Sequence, residues 1–468
     1  ALSLERLEAL CDRRPVRSGL SATARPLEEI ARFLVGGAEA PTVVDAGHLR
    51  ELDLAIEVPR EELGAVCTHE QWAEVYERMV ELIEAHSSTL VFVNTRRLAE
   101  RVAHQLAERL GEGAVLPHHG SLSHKARRRT ETDLKEGRLK AVVATASLEL
   151  GIDVGYVDLV CQIGSPRSIA TFLQRVGRSG HGLGRVPKGR LFALTRDELL
   201  EGLALLEAAR RGELDVTRFP RAPVDVLAQQ IAAEVACRDW EEAALWERFR
   251  RAAPYRSLGR DEFGRVVEML AEGVAGRRGG RRTYVHRDQV HGMLRARRGT
   301  RLTAITGGGA IPETGEYRVV VEGGERTVVG TLDEDFAVES QAGDIFLLGN
   351  RSWMIRYIRG GEVVVSDAGG APPSVPFWLG EGPGRTAELS ASVSGLRRRI
   401  ERMLPDAESA ALALAAEGFL SSRAAEQAVR YVEAQVAATG FAPTQERVLV
   451  ERFFDEAGGM QLVVHAPF

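Results

Sequence analysis

Thr145, Gly151, Asp153, Gln174, Arg175 and Arg178 are the residues of this chain whose types and spacing could do chemistry. The run from Lys140 to Ala144 is short, apolar and β-branched, the pattern of a buried parallel strand, and Thr145-Ala146-Ser147 places hydroxyls where that strand should end. In open α/β sheets, ligands gather at the carboxyl ends of strands. Gly151-Ile152-Asp153 then makes a tight turn closing on a carboxylate, and Val157 to Ile163 repeats the buried-strand pattern before a helix begins. In that helix Ile169, Phe172, Leu173 and Val176 share one side. Gln174, Arg178 and His181, at i, i+4 and i+7, share the opposite side, with Arg175 beside them. A helix that turns a glutamine and one or two arginines away from its apolar stripe can reach a purine edge and a γ-phosphate. Arginine's planar, permanently charged fork suits the charge that develops in phosphoryl transfer. An isolated Arg-x-x-Arg is more readily a solvated polar face; the threonine-to-aspartate turn one strand earlier reverses that and favours chemistry.

The elements that must position these groups are legible in the hydrophobic pattern. A helix at 70–86 leads into alternating strands and helices: strand 90–93, helix 96–110, strand 114–117, helix 125–135, then the strand before Thr145. Such alternation predicts a parallel, doubly wound sheet over residues 65–212. Asn94-Thr95-Arg96 and His119-Gly120-Ser121 follow successive strands, so their polar groups and backbone N–H groups should line the same edge as Thr145 and hold a nucleic-acid backbone. His118-His119 reads equally as a partly buried structural pair or as a phosphate contact, and two adjacent histidines do not indicate a metal.

At 468 residues the chain has room for several domains with sizeable cores. It contains no apolar run of 18 residues and no signal peptide, which predicts a soluble, cytoplasmic protein with no membrane partner. Cys11, Cys67, Cys161 and Cys237 lack the spacing of a zinc site or a disulfide framework and read as buried thiols. The net charge of −5 argues against a nucleic-acid partner only if charge is evenly spread. From Val274 to Arg301 nine arginines stand against the single acid Asp288, so Arg297 and Arg298 are candidate phosphate contacts; the alternative is a solvated face. A P-loop requires Gly-Lys-[Ser/Thr], yet the four lysines follow His124, Leu134, Leu139 and Pro187.

Ahead of the sheet, 4–10 reads as a helix, 16–20 as a strand, and 52–58 as a linker strand. After it, helices at 224–237, 241–251 and 261–272 followed by the β-like Thr283-Tyr284-Val285 suit either a winged helix or a helical connector. Strands dominate 302–379, at 318–321, 327–332, 344–348, 353–358 and 362–366, with Asp333-Glu334-Asp335 read as a turn. Ile311 tips a glycine-rich loop and Trp378 a rigid Pro-Phe-Trp segment. Either side chain could present itself to bases, Trp378 by stacking, or Trp378 could fill the core. Helices return at 387–403, 406–415 and 422–439 before two closing strands.

Residues 144–153 resemble motif V of superfamily 2 helicases, and Gln174-Arg175-Val176-Gly177-Arg178-Ser179-Gly180-His181 resembles motif VI. Val91-Phe92-Val93-Asn94-Thr95-Arg96 resembles motif IV, His119-Gly120-Ser121-Leu122-Ser123 motif IVa, and Ser21-Ala22-Thr23 motif III. Nearly the whole chain resembles the large helicase-related (Lhr) family. The resemblance implies a multidomain α/β plus α+β protein: a tail of a first RecA-like domain with a linker at 1–64, a second RecA-like domain with motifs IV to VI at 65–212, a winged helix at 213–300, a β-barrel-like domain at 301–386, and a helical C-terminal subdomain with closing strands at 387–468. It implies an ATP-driven motor moving 3′ to 5′ on single-stranded DNA and displacing paired DNA or RNA strands, RNA:DNA hybrids included, in DNA repair. ATP and Mg²⁺ would be the cofactors, the Mg²⁺ ligands lying in the first RecA-like domain. Residue by residue, Arg178 would be the γ-phosphate finger, supported by Arg175 and Gln174. Gly151 and Asp153 would lie near the ATP ribose. Thr145, Asn94, Thr95, Arg96, His119, Gly120 and Ser121 would hold the strand. His181 stands where many members of the wider superfamily carry arginine. On this reading the chain is a fragment cut at both ends and inactive by itself. The alternative is a non-enzymatic nucleic-acid-binding protein with a relic or partner-dependent RecA-like domain.

Overall fold

The computed structural model describes residues 1–21, 23–36, 41–45, 51–149, 155–180, 185–275, 281–307, 316–323, 327–374, 384–454 and 459–466. The chain divides into two units, Ala1–Gly47 with Val216–Glu313, and His48–Asp215 with Thr314–Phe468. Helices α1 (Leu2–Glu8) and α2 (Leu27–Val35) open the first. The second begins with β1 (Asp53–Glu57), α3 (His69–Glu84), β2 (Thr89–Phe92), α4 (Arg96–Leu110), β3 (Val115–His118), α5 (His124–Lys135), β4 (Ala141–Ala144), β5 (Leu159–Ile163), α6 (Ile169–Val176), β6 (Lys188–Phe192) and α7 (Arg196–Arg210).

Six strands form one all-parallel sheet of order β1-β6-β5-β2-β4-β3. Because strand residues alternate faces, Leu90, Phe92, Val142 and Ala144 enter one core while Val91, Val93, Ala141 and Val143 enter another. The latter core is completed by Trp72, Val75 and Met79 of α3 and Val102 and Leu106 of α4. Residues 53–57, expected in a linker, are instead the sheet's edge strand, with Asp53 opposite Lys188 and Glu57 opposite Phe192. Pairing with β6 satisfies backbone groups that a free linker would leave to water. Residues 16–20 find no such neighbour: Val16 and Leu20 are fully exposed and no strand forms there.

The smaller unit continues through α8 (Val224–Val235), β7 (Trp240–Glu241), α9 (Glu242–Arg250), α10 (Arg260–Glu272), β8 (Val274–Ala275), β9 (Arg281–Arg282), β10 (Val285–Asp288), β11 (Met293–Ala296) and α11 (Thr300–Thr306). The order helix, strand, helix, helix, then two strands in a sheet β10-β11-β7, is that of a winged helix. Leu227, Ile231, Leu245, Phe249, Phe263, Val267, Val285 and Leu294 fill its core. Leu2 of α1 is buried in that same core, so the N-terminal segment packs on the winged helix. Residues 300–306, expected to open the strand-rich region, form a helix against α8.

Back in the larger unit follow β12 (Glu316–Val321), β13 (Val328–Asp333), α12 (Glu334–Glu339), β14 (Ile345–Leu348), β15 (Arg351–Arg359) and β16 (Glu362–Asp367), in a sheet of order β13-β12-β16-β15-β14. Of the acidic run at 333–335, expected to be a turn, Asp333 ends β13 and the next two residues open α12, where negative charge complements a helix N-terminus. Helices α13 (Ala387–Met403), α14 (Ala407–Ala416) and α15 (Ser422–Thr439) precede the hairpin β17 (Leu449–Phe454) and β18 (Met460–His465). Leu389, Val393, Leu396 and Ile400 of α13 share one core with Leu199, Leu203 and Leu206 of α7 and with the sheet residues Leu90 and Val142. The C-terminal helices thus cover one face of the parallel sheet, whose other face α3 and α4 cover.

Of the four thiols expected to be buried, only Cys161 is; Cys11 and Cys237 are exposed and Cys67 half-buried. Both exposed residues lie just beyond helix ends. Burial pushes the Cys67 thiol up to about 11 and the Cys161 thiol up to about 12. Titration with a disulfide reagent near neutral pH should therefore modify Cys11 and Cys237 rapidly, Cys67 slowly and Cys161 only on unfolding. Rapid reaction of Cys161 in the folded chain would contradict its place in β5.

Candidate nucleotide and nucleic-acid site

The parallel register brings the loops after β2, β3 and β4 to one edge, where the Val93 amide donates to Ala144 O (2.9 Å) and the Thr145 amide to His118 O (3.3 Å). Asn94, Gly120 and Thr145 meet there as the sequence predicts. Asn94 Nδ2 donates to Ser165 O (2.7 Å), tying this edge to the loop after β5. Thr95 caps α4, its hydroxyl accepting from the Leu98 amide (3.1 Å), so that oxygen is committed to the helix. Gly120 is exposed, with no atom within 4 Å of where a Cβ would stand, which leaves its backbone open to a ligand. Thr145 is partly exposed.

Two of the expected strand contacts are turned inward. His119 is fully buried, its Nε2 2.8 Å from Glu100 Oε1. Ser121 is also buried; its Oγ accepts from Arg96 Nη1 at 2.5 Å, and Arg96 further pairs with Glu316 (3.5 Å). The backbone explains why. The Thr331 amide donates to Ser121 O (2.7 Å) and the Ser123 amide to Val329 O (3.0 Å), so residues 121–123 add to the edge of β13. Leu122 then enters the core of the β-rich sheet beside Val319 and Leu332. At Gly330 a Cβ would stand 2.3 Å from Ser121 O, which is why glycine occupies that position. This segment is a docking strand for the β-rich domain, and only Gly120 of it remains open. His118 is buried as well, between Ser147 Oγ (2.8 Å) and Glu131 Oε1 (3.0 Å). Burial lowers its pKa, opposed by Glu131.

Helix α6 ends at Val176, so the helical side expected to carry Gln174, Arg178 and His181 does not extend that far. Ser168 caps its start, accepting from the Thr171 amide (3.1 Å). Buried Asp215 accepts from Ser168 Oγ (2.7 Å) and from Thr386 Oγ1 (2.6 Å), joining the starts of α6 and α13. Arg175, expected to face the ligand, is 5% exposed. Its Nε and Nη2 donate to Glu149 Oε2 (3.2 and 3.1 Å), its Nη1 to Gln162 Oε1 (2.8 Å), and its guanidinium lies over the Phe92 ring. Burial lowers its pKa and the Glu149 carboxylate opposes that, so the arginine stays charged inside a satisfied network. Arg178, past the helix end, is partly exposed and donates from Nη2 to the Glu149 carbonyl (2.8 Å). Gln174 is partly exposed too. Glu149 and Gln162, which hold these arginines, escaped the sequence reading; the only signal was a glutamine inside the otherwise apolar strand β5.

On the winged helix, Arg297 and Arg298 are exposed, Arg297 with its Nε donating to Val285 O (3.0 Å). The cationic cluster is partly neutralised: Arg287 forks onto Glu242 (2.7 and 2.6 Å) and Arg295 pairs with Asp239 (3.3 Å). The exposed side of α10 carries Asp261, Glu268 and Glu272 against Arg260 and Arg265, an acidic balance that opposes groove entry by that helix. Gly151, Asp153, His181, Ile311 and Trp378 lie outside the described residues.

Residues 74–182 match the helicase conserved C-terminal domain, and residues 207–375 match the winged helix domain of large helicase-related protein. Over its whole length the chain is 38% identical to the Lhr helicase/probable uracil glycosylase of Mycolicibacterium smegmatis, covering 33% of that protein. It is 36% identical to the ATP-dependent helicase Lhr-Core of Methanothermobacter thermautotrophicus, again over its whole length, covering 55% of it. The solved structure of Mycobacterium smegmatis helicase Lhr bound to ssDNA and AMP-PNP superposes with a TM-score of 0.79 at 36% identity, over 100% of this chain and 56% of that one. The chain thus spans from about a third to just over half the length of these relatives. With its helicase motifs at the edge of one parallel sheet and a winged helix following them, it belongs to the large helicase-related (Lhr) family of helicases.

Proposed function

We propose that this chain is the part of an ATP-dependent 3′ to 5′ translocase that supplies the arginine finger and half of the single-strand track, displacing paired DNA or RNA in DNA repair. The observation that carries this reading is Arg178, partly exposed and held through Glu149 to the very segment whose other end presents Thr145. Arg178 would meet the γ-phosphate of ATP, while buried Arg175 fixes the helix end that carries it. Gly151 and Asp153 would lie near the ribose, and Gln174 supports the finger. ATP supplies the transferable phosphoryl group and Mg²⁺ neutralises its charge. The one carboxylate described beside the arginines, Glu149, is engaged with Arg175, so Mg²⁺ ligands are assigned to a P-loop lobe. Gly120, Thr145, Asn94 and Arg96 would track the DNA backbone, Arg297 and Arg298 would add phosphate contacts, and Ile311 and Trp378 would touch bases.

A tailed-duplex assay tests the polarity. A protein joining this chain to its P-loop lobe should displace the paired strand from a duplex with a 3′ tail, and a preference for 5′ tails would sink the proposal. The isolated chain should hydrolyse no ATP yet still bind single strands. Each phosphate contact should steepen the fall of log affinity against log salt by about 0.7. DNA-stimulated ATP turnover by the chain alone would contradict the reading.

A further inference from the structure

Glu149 is absent from the motif residues to which a role has been given, yet it is the group on which both arginines of motif VI converge. Its carboxylate takes two donors from Arg175, and its backbone carbonyl takes one from Arg178. The carboxylate is 13% exposed and its partner's side chain 6%, so solvent screens this pair far less than a surface one.

The other end of the same short segment is anchored as firmly. The Thr145 amide donates to His118 O, and Ser147 Oγ donates to the same carbonyl at 2.8 Å. Leu148 is buried in the core. The Glu149 amide donates to Ala146 O (3.1 Å), closing a tight turn across 146–148. These five residues are thus pinned at both ends and in the middle. A nucleic-acid strand that displaces Thr145 must therefore displace Glu149, and with it the guanidinium groups that Glu149 holds.

We infer that Glu149 is a positioning residue that couples strand contact at Thr145 to the placement of Arg178, so that a strand moving on the track moves the finger with it. Arg175 serves as the buried strut of this coupling and Gln162 as its fixed anchor in β5. The inference rests on the proposed role of Arg178 and extends it to the stimulation of turnover by DNA.

The test uses the ATP-hydrolysing protein that carries this chain. Glu149→Gln keeps an oxygen acceptor of the same size while removing the charge that grips Arg175. It should lower the DNA-stimulated kcat about tenfold, since displacements of an ångström or less suffice for such losses. The KM for ATP and the Kd for a single-stranded oligonucleotide should stay within about threefold, which separates seating of the finger from ground-state binding. On an Arg178→Ala background the same substitution should change the residual rate less than about twofold, because two residues acting through one interaction are not additive. Equal losses on both backgrounds, an unchanged kcat, or loss of DNA binding along with turnover would each overturn the coupling. Absence of DNA-stimulated turnover in the unsubstituted protein would instead overturn the proposed function, and this inference with it.

Discussion

Arg178→Ala, in the ATP-hydrolysing protein that contains this chain, is expected to reduce the DNA-stimulated kcat by about 10³-fold or more, the range in which arginine fingers act. The loss should fall on kcat because a finger stabilises charge that develops only in the transition state. Single-strand affinity should change little, since the guanidinium donates to the Glu149 carbonyl at the helix end, whereas the open backbone of Gly120 lies in the loop after β3. Arg175→Ala makes an instructive contrast. It removes a buried cation that satisfies Glu149 and Gln162, and so should cost stability as well as turnover. If Arg178→Ala retained more than about a tenth of the rate, a finger worth the usual three orders of magnitude could not reside there.

The largest effect on stability is expected at Glu100, a residue outside every motif. Its carboxylate is wholly buried and receives His119 Nε2 at 2.8 Å, the Gly349 amide at 2.7 Å and the Asn350 amide at 3.2 Å. It therefore joins α4 and the loop after β3 to the turn between β14 and β15. Glu100→Ala leaves these donors in an apolar junction, and stranding the partners of a buried charge costs about 3–5 kcal/mol. For a unit of this size that corresponds to a fall in Tm of about 5–7 °C. Hydrogen exchange should accelerate first in β13 and at 349–350, with β2 and β4 protected until global unfolding. Glu100→Gln, which keeps an acceptor, should lose about half as much or less. A shift of under about 3 °C for the alanine variant would show that the β-rich sheet docks without this carboxylate.

What the sequence by itself determined is whatever depends on local periodicity. The parallel strands are legible because a strand buried on both faces is apolar along most of its length, as Leu90–Phe92 and Ala141–Ala144 are. The five strands between 316 and 367 fall within two or three residues of their alternating runs, because glycine-rich turns punctuate them. The site edge follows from the same logic, since parallel strands deliver their following loops to one side whatever the packing elsewhere. Tertiary structure alone decided which polar groups on that edge face outward. His119 and Ser121 have the residue types and spacing of backbone contacts, yet residues 121–123 pair with β13, some two hundred positions later, and the two side chains turn inward. Arg175 and Arg178 look alike in a helical projection; the helix ends between them, and a carboxylate from another strand's loop captures the first. Residues 53–57 are a sheet edge only because β6 lies beside them, and α13 is part of the parallel sheet's core only because α7 presents a leucine-rich face to it. Each of these outcomes is set by a partner distant in the chain, and local pattern carries no information about which partner a buried hydrogen bond or apolar face will find.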